Sequence, residues 1–479
     1  MVKIKTKSKN EIENKNPNNF YTKILSEYAS LAKYEDIPEE VIESAKNCIL
    51  DSVGCSIGGS TLKPGKIVID LFEGMNGIGE ATVYSSGKKI PLLHATYINS
   101  YLANLLDFDD TYANFAHPGA TVVPPALAMA EKIRADGRRL LTAVIVGFET
   151  SLRIGTSIMA SPERYKQVFG FSTWQIIGAA ACTANLLNFN TEQVSNAFGL
   201  AGMNAPVPYG RKLGLEEGEG PISWSKNNYG WAAMGGVLGT LLTEKGFIGN
   251  QNILDGDKGF WVMAGSDQCD FSKMIERLGE NFLITKNSFK PYSSCRWGHS
   301  TIDACLKIME KQKIDYNSIR SIRVRSNYEI VHSLSCTSKE LREPKSIVDA
   351  QFNLPYLVAL CLIGHPPSGG LSESDLTDPH ILSLSKKVRL ELDPEADKLY
   401  FEKGIMASKV VIETNLGERF EKIILNPKGS PENPMSPEEL EGKFLILSSP
   451  VVGNIKASRI VEKVRGLEKL GDVSTLFDD

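Results

Sequence analysis

From Tyr21 to about Phe282 the sequence runs as one helical segment after another, and no other feature constrains the fold as strongly. IPEEVIESAKNCILDSVGCSIGG sets the pattern. Pro38 stands at a helix start, Val41, Ile42, Ala45, Ile49 and Val53 recur at three-and-four spacing, and Gly58-Gly59 ends the run. PLLHATYINSYLANLLDF, PPALAMAEKIRADG, LLTAVIVGFETSLRIG and GAAACTANLLNFN repeat it, with Ala and Gly allowing close helix contact. These segments predict a large all-α domain.

The texture changes after Lys286. IRSIRVRSN, KVRLELDP and KVVIETNLGERFEKIIL alternate apolar and polar residues with β-branched enrichment, which predicts strands. Helical stretches such as HSTIDACLKIMEKQ and IVDAQFNLPYLVALCLIG lie between them, so 286–430 reads as a smaller α+β domain. NPKGSPENPMSPEEL is linker-like, and the helical tail after it, 431–479, is expected to rejoin 21–285 and make the helical domain discontinuous. Residues 1–20, rich in Lys, Asn and Glu, are expected to be a disordered arm.

Composition narrows the function. At 479 residues, 42% hydrophobic, the chain can bury a core too large for one ordinary domain. A net charge of -4 and no basic stripe argue against nucleic acid as a partner. The arm has no apolar run behind its five lysines, and the longest apolar stretch, Leu140 to Phe148, is about half of the roughly 20 residues that a spanning helix needs. The expectation is a cytoplasmic protein with no membrane partner. Eight cysteines, with no CxxC pair and no His at ligand spacing, predict reduced thiols and no zinc or iron–sulfur site.

Three clusters could carry chemistry. LLDFDDTYANFAHPG puts Asp107, Asp109, Asp110, Thr111 and His117 within eleven residues. The bland reading is a capped helix end, with Asp110 or Thr111 satisfying backbone donors and the carboxylates facing water. The functional reading places Asp107 and Thr111, four apart, on one helical face with His117 folded back towards them, an acid–base setting and not a metal site. SFKPYSSCRWGHSTIDA gathers Lys290, Tyr292, Cys295, Arg296 and His299, cations and donors suited to an anionic ligand. A Cys295 thiolate nucleophile is the weaker use of that cluster. PYGRKLGLEEGEGPISWSKNNYGWAAMGG offers Arg211, Lys212 and Lys226 on a Gly-rich loop that matches no nucleotide fingerprint.

In order, these segments resemble the MmgE/PrpD family, whose members include 2-methylcitrate dehydratase, cis-aconitate decarboxylase and iminodisuccinate epimerase. The resemblance spans nearly the whole chain. AKNCILDSVGCSIGG, NSYLANLLDFDDTYANFAHPGATVVPPALAMAE, GWAAMGGVLGTLLTEKGFIG, SFKPYSSCRWGHSTIDA and PKSIVDAQFNLPYLVALCLIG carry it. It implies a helical domain with an α+β lid, a homodimer, and a site between the domains that uses no metal or organic cofactor.

By position, the family's catalytic residues fall on Asp107, Thr111, His117, Lys290 and Tyr356, with Lys226 as a looser match. Lys226 stands four residues before Gly230 where the decarboxylases have a lysine five before, so Lys212 or Arg211 is the alternative for that role. Many members carry a His where this chain has Ser172, and the decarboxylases have one where it has Cys295, departures that count against cis-aconitate decarboxylation. The implied reaction is metal-independent dehydration of a small hydroxy-polycarboxylate such as 2-methylcitrate. Lys290, Arg296 and the Lys226 region would neutralise the substrate, with Ser172, Cys295 and His299 lining its site. His117 or Asp107 would serve as base, and Tyr356 or protonated His117 as acid. Decarboxylation, epimerisation or isomerisation of a related acid is the alternative, and a non-catalytic polycarboxylate binder the reading from another class.

Overall fold

The computed structural model describes residues 20–113, 116–165, 167–168, 172–208, 221–334 and 343–478. The expected arm, 1–20, lies outside them except for Phe20. Apart from short turns, the first two-thirds is helical: α1 (Tyr21–Leu31), α2 (Glu39–Gly59), α3 (Lys63–Glu73), α4 (Leu92–Leu105), α5 (Pro118–Ile133), α6 (Gly137–Ser157), α7 (Ser172–Leu186), α8 (Thr191–Met203) and α9 (Tyr229–Glu244). A small hairpin that periodicity did not predict, β1 (Ala81–Thr82) with β2 (Lys89–Ile90), interrupts them. At two residues per strand it is too short to show alternation.

The sequence explains the boundaries. Pro38 precedes α2, and Glu39 and Glu40 fill its first turn, where the helix dipole favours negative charge. Small residues set the helix spacing: a Cβ on Gly54 would come within 2.8 Å of Phe444 on a helix near the end of the chain. The α4, α5, α6, α7 and α9 helices pack on one another, their facing side chains forming one continuous buried core.

The later part holds a four-stranded mixed sheet in the order β4 (Val388–Leu392), β3 (Ile319–Ser326), β5 (Ser408–Thr414), β6 (Arg419–Ile424). Here β3 runs parallel to β4 and antiparallel to β5. The β5–β6 hairpin turns at Gly417, whose φ of 83° suits glycine. One face of the sheet is covered by α10 (His299–Lys311), which also touches α11 (Leu354–Ile363). Finally α12 (Pro437–Val452), opened by a Ser436–Glu439 capping box, and α13 (Asn454–Arg465) return to pack on α2. No helix among the described residues is long and apolar enough to cross a membrane.

Candidate active site

The site forms where α4 stops. Leu106 caps the helix and Asp107 turns the chain with φ at 48°, a left-handed conformation rare for a residue other than glycine. A helix end leaves carbonyls without partners and carries partial negative charge, which draws donors and cations. Here they come from four distant segments. Lys226 Nζ donates to the carbonyls of Asn104 and Leu105, each at 3.0 Å, and Gln351 Nε2 donates to Leu105 at 3.1 Å. Ser293 Oγ donates to the Leu106 carbonyl at 2.6 Å, Lys290 Nζ to that of Asp107 at 2.9 Å, and Lys443 Nζ to that of Phe108 at 2.5 Å.

The same cations surround the Asp107 carboxylate. Lys290 Nζ lies 3.2 Å and Lys226 Nζ 4.0 Å from its Oδ1, and all three side chains are buried. Burial alone would raise the Asp107 pKa, but the ammonium of Lys290, then that of Lys226, outweighs it and holds the carboxyl below the usual range. Burial, followed by the competing effects of Asp107 and Lys290, brings Lys226 down to about 8. Two ammoniums meet at the one Asp107 carboxylate, which leaves cationic donors at that end of the cluster for an anionic ligand, with Asp109 as the balancing charge on the His117 side.

His117 faces this pair from the last residue before α5. Its Nδ1 lies 3.2 Å from Asp109 Oδ2, and its ring packs near Tyr229 at 5.5 Å between centroids. Asp110 points the other way and accepts from the Gly119 N–H in the first turn of α5, while Asn287 donates to its other oxygen. That is the capping role the bland reading gave it. The carboxylates do not face water, however, because Asp107, Asp109 and Asp110 are all buried.

Asp107 and Thr111 do not share a helical face, contrary to expectation, since α4 has already ended. Thr111 instead forms an isolated β-bridge with Ser288 through backbone bonds of 2.8 and 2.7 Å. The bridge sets Lys290, two residues beyond Ser288, beside Asp107. Thr111 Oγ1 has no hydrogen-bond partner among the described residues.

The remaining expected site residues take several positions, with Cys295 close enough to Asp107, Lys290 and Lys226 to feel their charges. Arg296 Nη1 donates to the Lys428 carbonyl at 2.9 Å and lies 3.3 Å from His299 Nδ1, so the guanidinium is turned towards the 425–433 loop. His299 is fully buried, and burial, then the charges of Arg296 and Lys290, drives its pKa far below the ordinary range and leaves the ring neutral. Burial pushes the Cys295 thiol up to about 12, against a nucleophilic thiolate. Tyr356 is fully buried in α11, and the charges acting on its hydroxyl are those of Asp375 and Asp378, not those of the Asp107 cluster. Arg211, Lys212 and the side chain of Ser172 lie outside the described residues.

Four contributors escaped sequence reasoning. Asn104, Gln351 and Ser293 are neutral residues in otherwise unremarkable stretches, and Lys443 reads as one more charge on an amphipathic helix. Only Asp51, which forms a buried 2.6 Å ion pair with Lys443, gave a signal, as a charged residue within an apolar run.

Oxygen or nitrogen atoms of Asp107, Asp109 and His117 lie within 4.8 Å of one another, a spacing that could hold a metal. Two ammoniums already sit against Asp107, and their charge would repel a cation. The residues present therefore do not fit a metal. Access is narrow. Tyr101, Asn104, Lys226, Tyr229 and Trp224 line a small pocket, and Trp224 also borders a cleft of about 380 Å³ lined by Lys63, Lys345 and Glu373.

This arrangement has relatives. The N-terminal domain profile of MmgE/PrpD proteins matches residues 23–272, and the C-terminal domain profile matches 292–469. The chain belongs to the MmgE/PrpD family. Similar members include a cis-aconitate decarboxylase-like protein of Aspergillus oryzae, 25% identical over 96% of this chain and 97% of its own. The cis-aconitate decarboxylase of Aspergillus terreus is 24% identical over 95% of each chain, and that of Homo sapiens 23% identical over 93% of this chain and 91% of its own. The second family profile runs through 437–469, so the C-terminal helices that pack on α2 are part of the family's C-terminal segment.

Proposed function

We propose that this MmgE/PrpD protein is a metal-independent lyase of a small polycarboxylate, and that its reaction is dehydration of a hydroxy-polycarboxylate such as 2-methylcitrate. One observation carries the reading: two buried ammoniums share the Asp107 carboxylate beside an imidazole, which provides cationic donors to hold substrate carboxylates and a base to act next to them. Lys290 and Lys226 neutralise the substrate and stabilise the charge that develops when the adjacent C–H proton leaves. His117 takes that proton. Asp107 is the poorer base because the lysines hold its pKa down. Lys226, near 8, supplies the proton with which the β-hydroxyl departs as water. Thr111 Oγ1 offers the substrate a further hydrogen bond.

The names of the relatives favour a second reading, decarboxylation, in which the C–C bond to a carboxylate breaks and carbon dioxide leaves. Cys295, at a position where the decarboxylases carry His, and Ser172, where many family members do, speak for the first. We further assign two domains, 21–285 with 431–479 and 286–430, a cytoplasmic location, and a homodimer. The exposed face of α9, where Trp231 and Leu238 stand a helical repeat apart, supports the dimer.

EDTA-treated protein incubated with 2-methylcitrate, citrate and cis-aconitate, followed by ultraviolet absorbance and proton NMR, tests the assignment. Alkene formation supports dehydration. Carbon dioxide release moves the assignment to the second reading, and binding without turnover would mark a non-catalytic polycarboxylate binder. His117→Gln is expected to lower turnover by roughly two to four orders of magnitude.

A further inference from the structure

Asp109 has no role in the reaction as outlined, yet it is fully buried and directed at the imidazole. Asn104 Nδ2 donates to both of its oxygens, at 3.0 and 3.2 Å, and Asn104 lies in the last turn of α4, which Lys226 holds by its carbonyl. The carboxylate is thus held by an amide nitrogen that can only donate to it and that also lies 3.5 Å from His117 Nδ1. Its Oδ2 faces His117 Nδ1 at 3.2 Å and, as an acceptor, requires a proton on that nitrogen.

We propose that Asp109 is a positioning residue that locks His117 as the Nδ1–H tautomer and so leaves Nε2 as the proton acceptor. The imidazole is then a base of one orientation, and when it gains a proton at Nε2 the neighbouring carboxylate stabilises the imidazolium while remaining ionised. The other charges of the cluster are Asp107, which interacts with His117, and Lys226 and Lys290, which stand against Asp107. Asp107 is occupied by the two ammoniums, and Asn104 Nδ2, the other group near Nδ1, is committed to Asp109 at 3.0 and 3.2 Å against 3.5 Å to the ring, so Asp109 is the acceptor that fixes the tautomer. The assignment rests on the lyase reading only for its catalytic consequence; the tautomer stands apart from any substrate.

The test is 15N NMR of selectively 15N-histidine-labelled protein, with His117 identified through its loss in His117→Gln, at a pH of about 8, above the ordinary histidine range. Nδ1 is expected to be protonated and Nε2 to show the shift of an unprotonated nitrogen. In Asp109→Asn the amide at that position donates instead of accepting, and the ring is expected to flip to the Nε2–H form. The wild-type spectrum decides the matter even if the variant does not fold: an Nε2–H tautomer there, or a tautomer unchanged in folded Asp109→Asn, overturns the proposal. With a working lyase assay, Asp109→Asn should lower kcat by roughly two to four orders of magnitude with KM little changed, and add no further loss in a His117→Gln background. The expected tautomer without activity on any polycarboxylate would retain the role of Asp109 and reject the lyase reading.

Discussion

Lys290 holds Asp107 at two points, donating to its backbone carbonyl at 2.9 Å and standing 3.2 Å from its carboxylate. One side chain therefore both fixes the strained turn after α4 and neutralises the charge that turn presents. The contact joins segments 183 residues apart.

Removing one member of a buried ion pair leaves the other charge unpaired, which costs about 3–5 kcal/mol. Lys290→Met is expected to lower stability to urea by that amount. Adding Asp107→Asn should recover a substantial part of it, because the uncompensated carboxylate is gone. Strictly additive losses in this double-mutant cycle would show that the pair is not coupled.

Lys226 gives the site a pH dependence with a definite sign. Its pKa is lowered to about 8, so it is charged below that value and neutral above it. The free enzyme should lose affinity for polycarboxylates, and kcat/KM should fall, as pH rises through about 8. In Lys226→Arg the affinity limb should move far upward, since guanidinium stays protonated throughout the accessible range, while turnover should fall because guanidinium does not give up the proton that the leaving hydroxyl needs. A limb that stays in place would assign it to another group.

Chelation should leave activity untouched. Because two ammoniums occupy the Asp107 carboxylate, prolonged dialysis against EDTA is expected to change neither turnover nor thermal unfolding, and added Mg²⁺ or Zn²⁺ should not stimulate. Loss of activity that is restored by one metal alone would reverse the charge argument.

Trp224 separates the outer cleft from the inner pocket, and Tyr101 donates to its carbonyl at 2.9 Å. Entry of a ligand should shift the environment of this indole. Tryptophan fluorescence is expected to change on titration with a bound polycarboxylate, and Trp224→Phe should remove most of that signal. A signal that persists would locate entry elsewhere.

Helix and strand type were legible because long periodic segments such as α2, α6 and β5 leave little choice of which face to bury. The two charged clusters were also visible, since five ionisable or hydroxyl groups near Asp107 have no packing purpose. Their spatial relations were not. The expectation that Asp107 and Thr111 share a face failed because α4 stops at Leu105, before either residue, and nothing local marks that end: the carbonyls there are satisfied by Lys226, Gln351, Ser293, Lys290 and Lys443 from remote segments. The orientation of Arg296 was hidden for a related reason, as its partner, the Lys428 carbonyl, belongs to a loop that reads as a connector.

The turn's last donor, Lys443, follows Phe108 by 335 residues. At a synthesis rate of about 5–20 residues per second, roughly 20–70 s separate the emergence of the two from the ribosome. Throughout that interval the early helices can already pack, while Asp51 waits without its counter-ion and the Phe108 carbonyl without its donor. A nascent chain thus acquires its shape well before its chemistry, and a chain stalled before α12 would carry a helical core with an unfinished site.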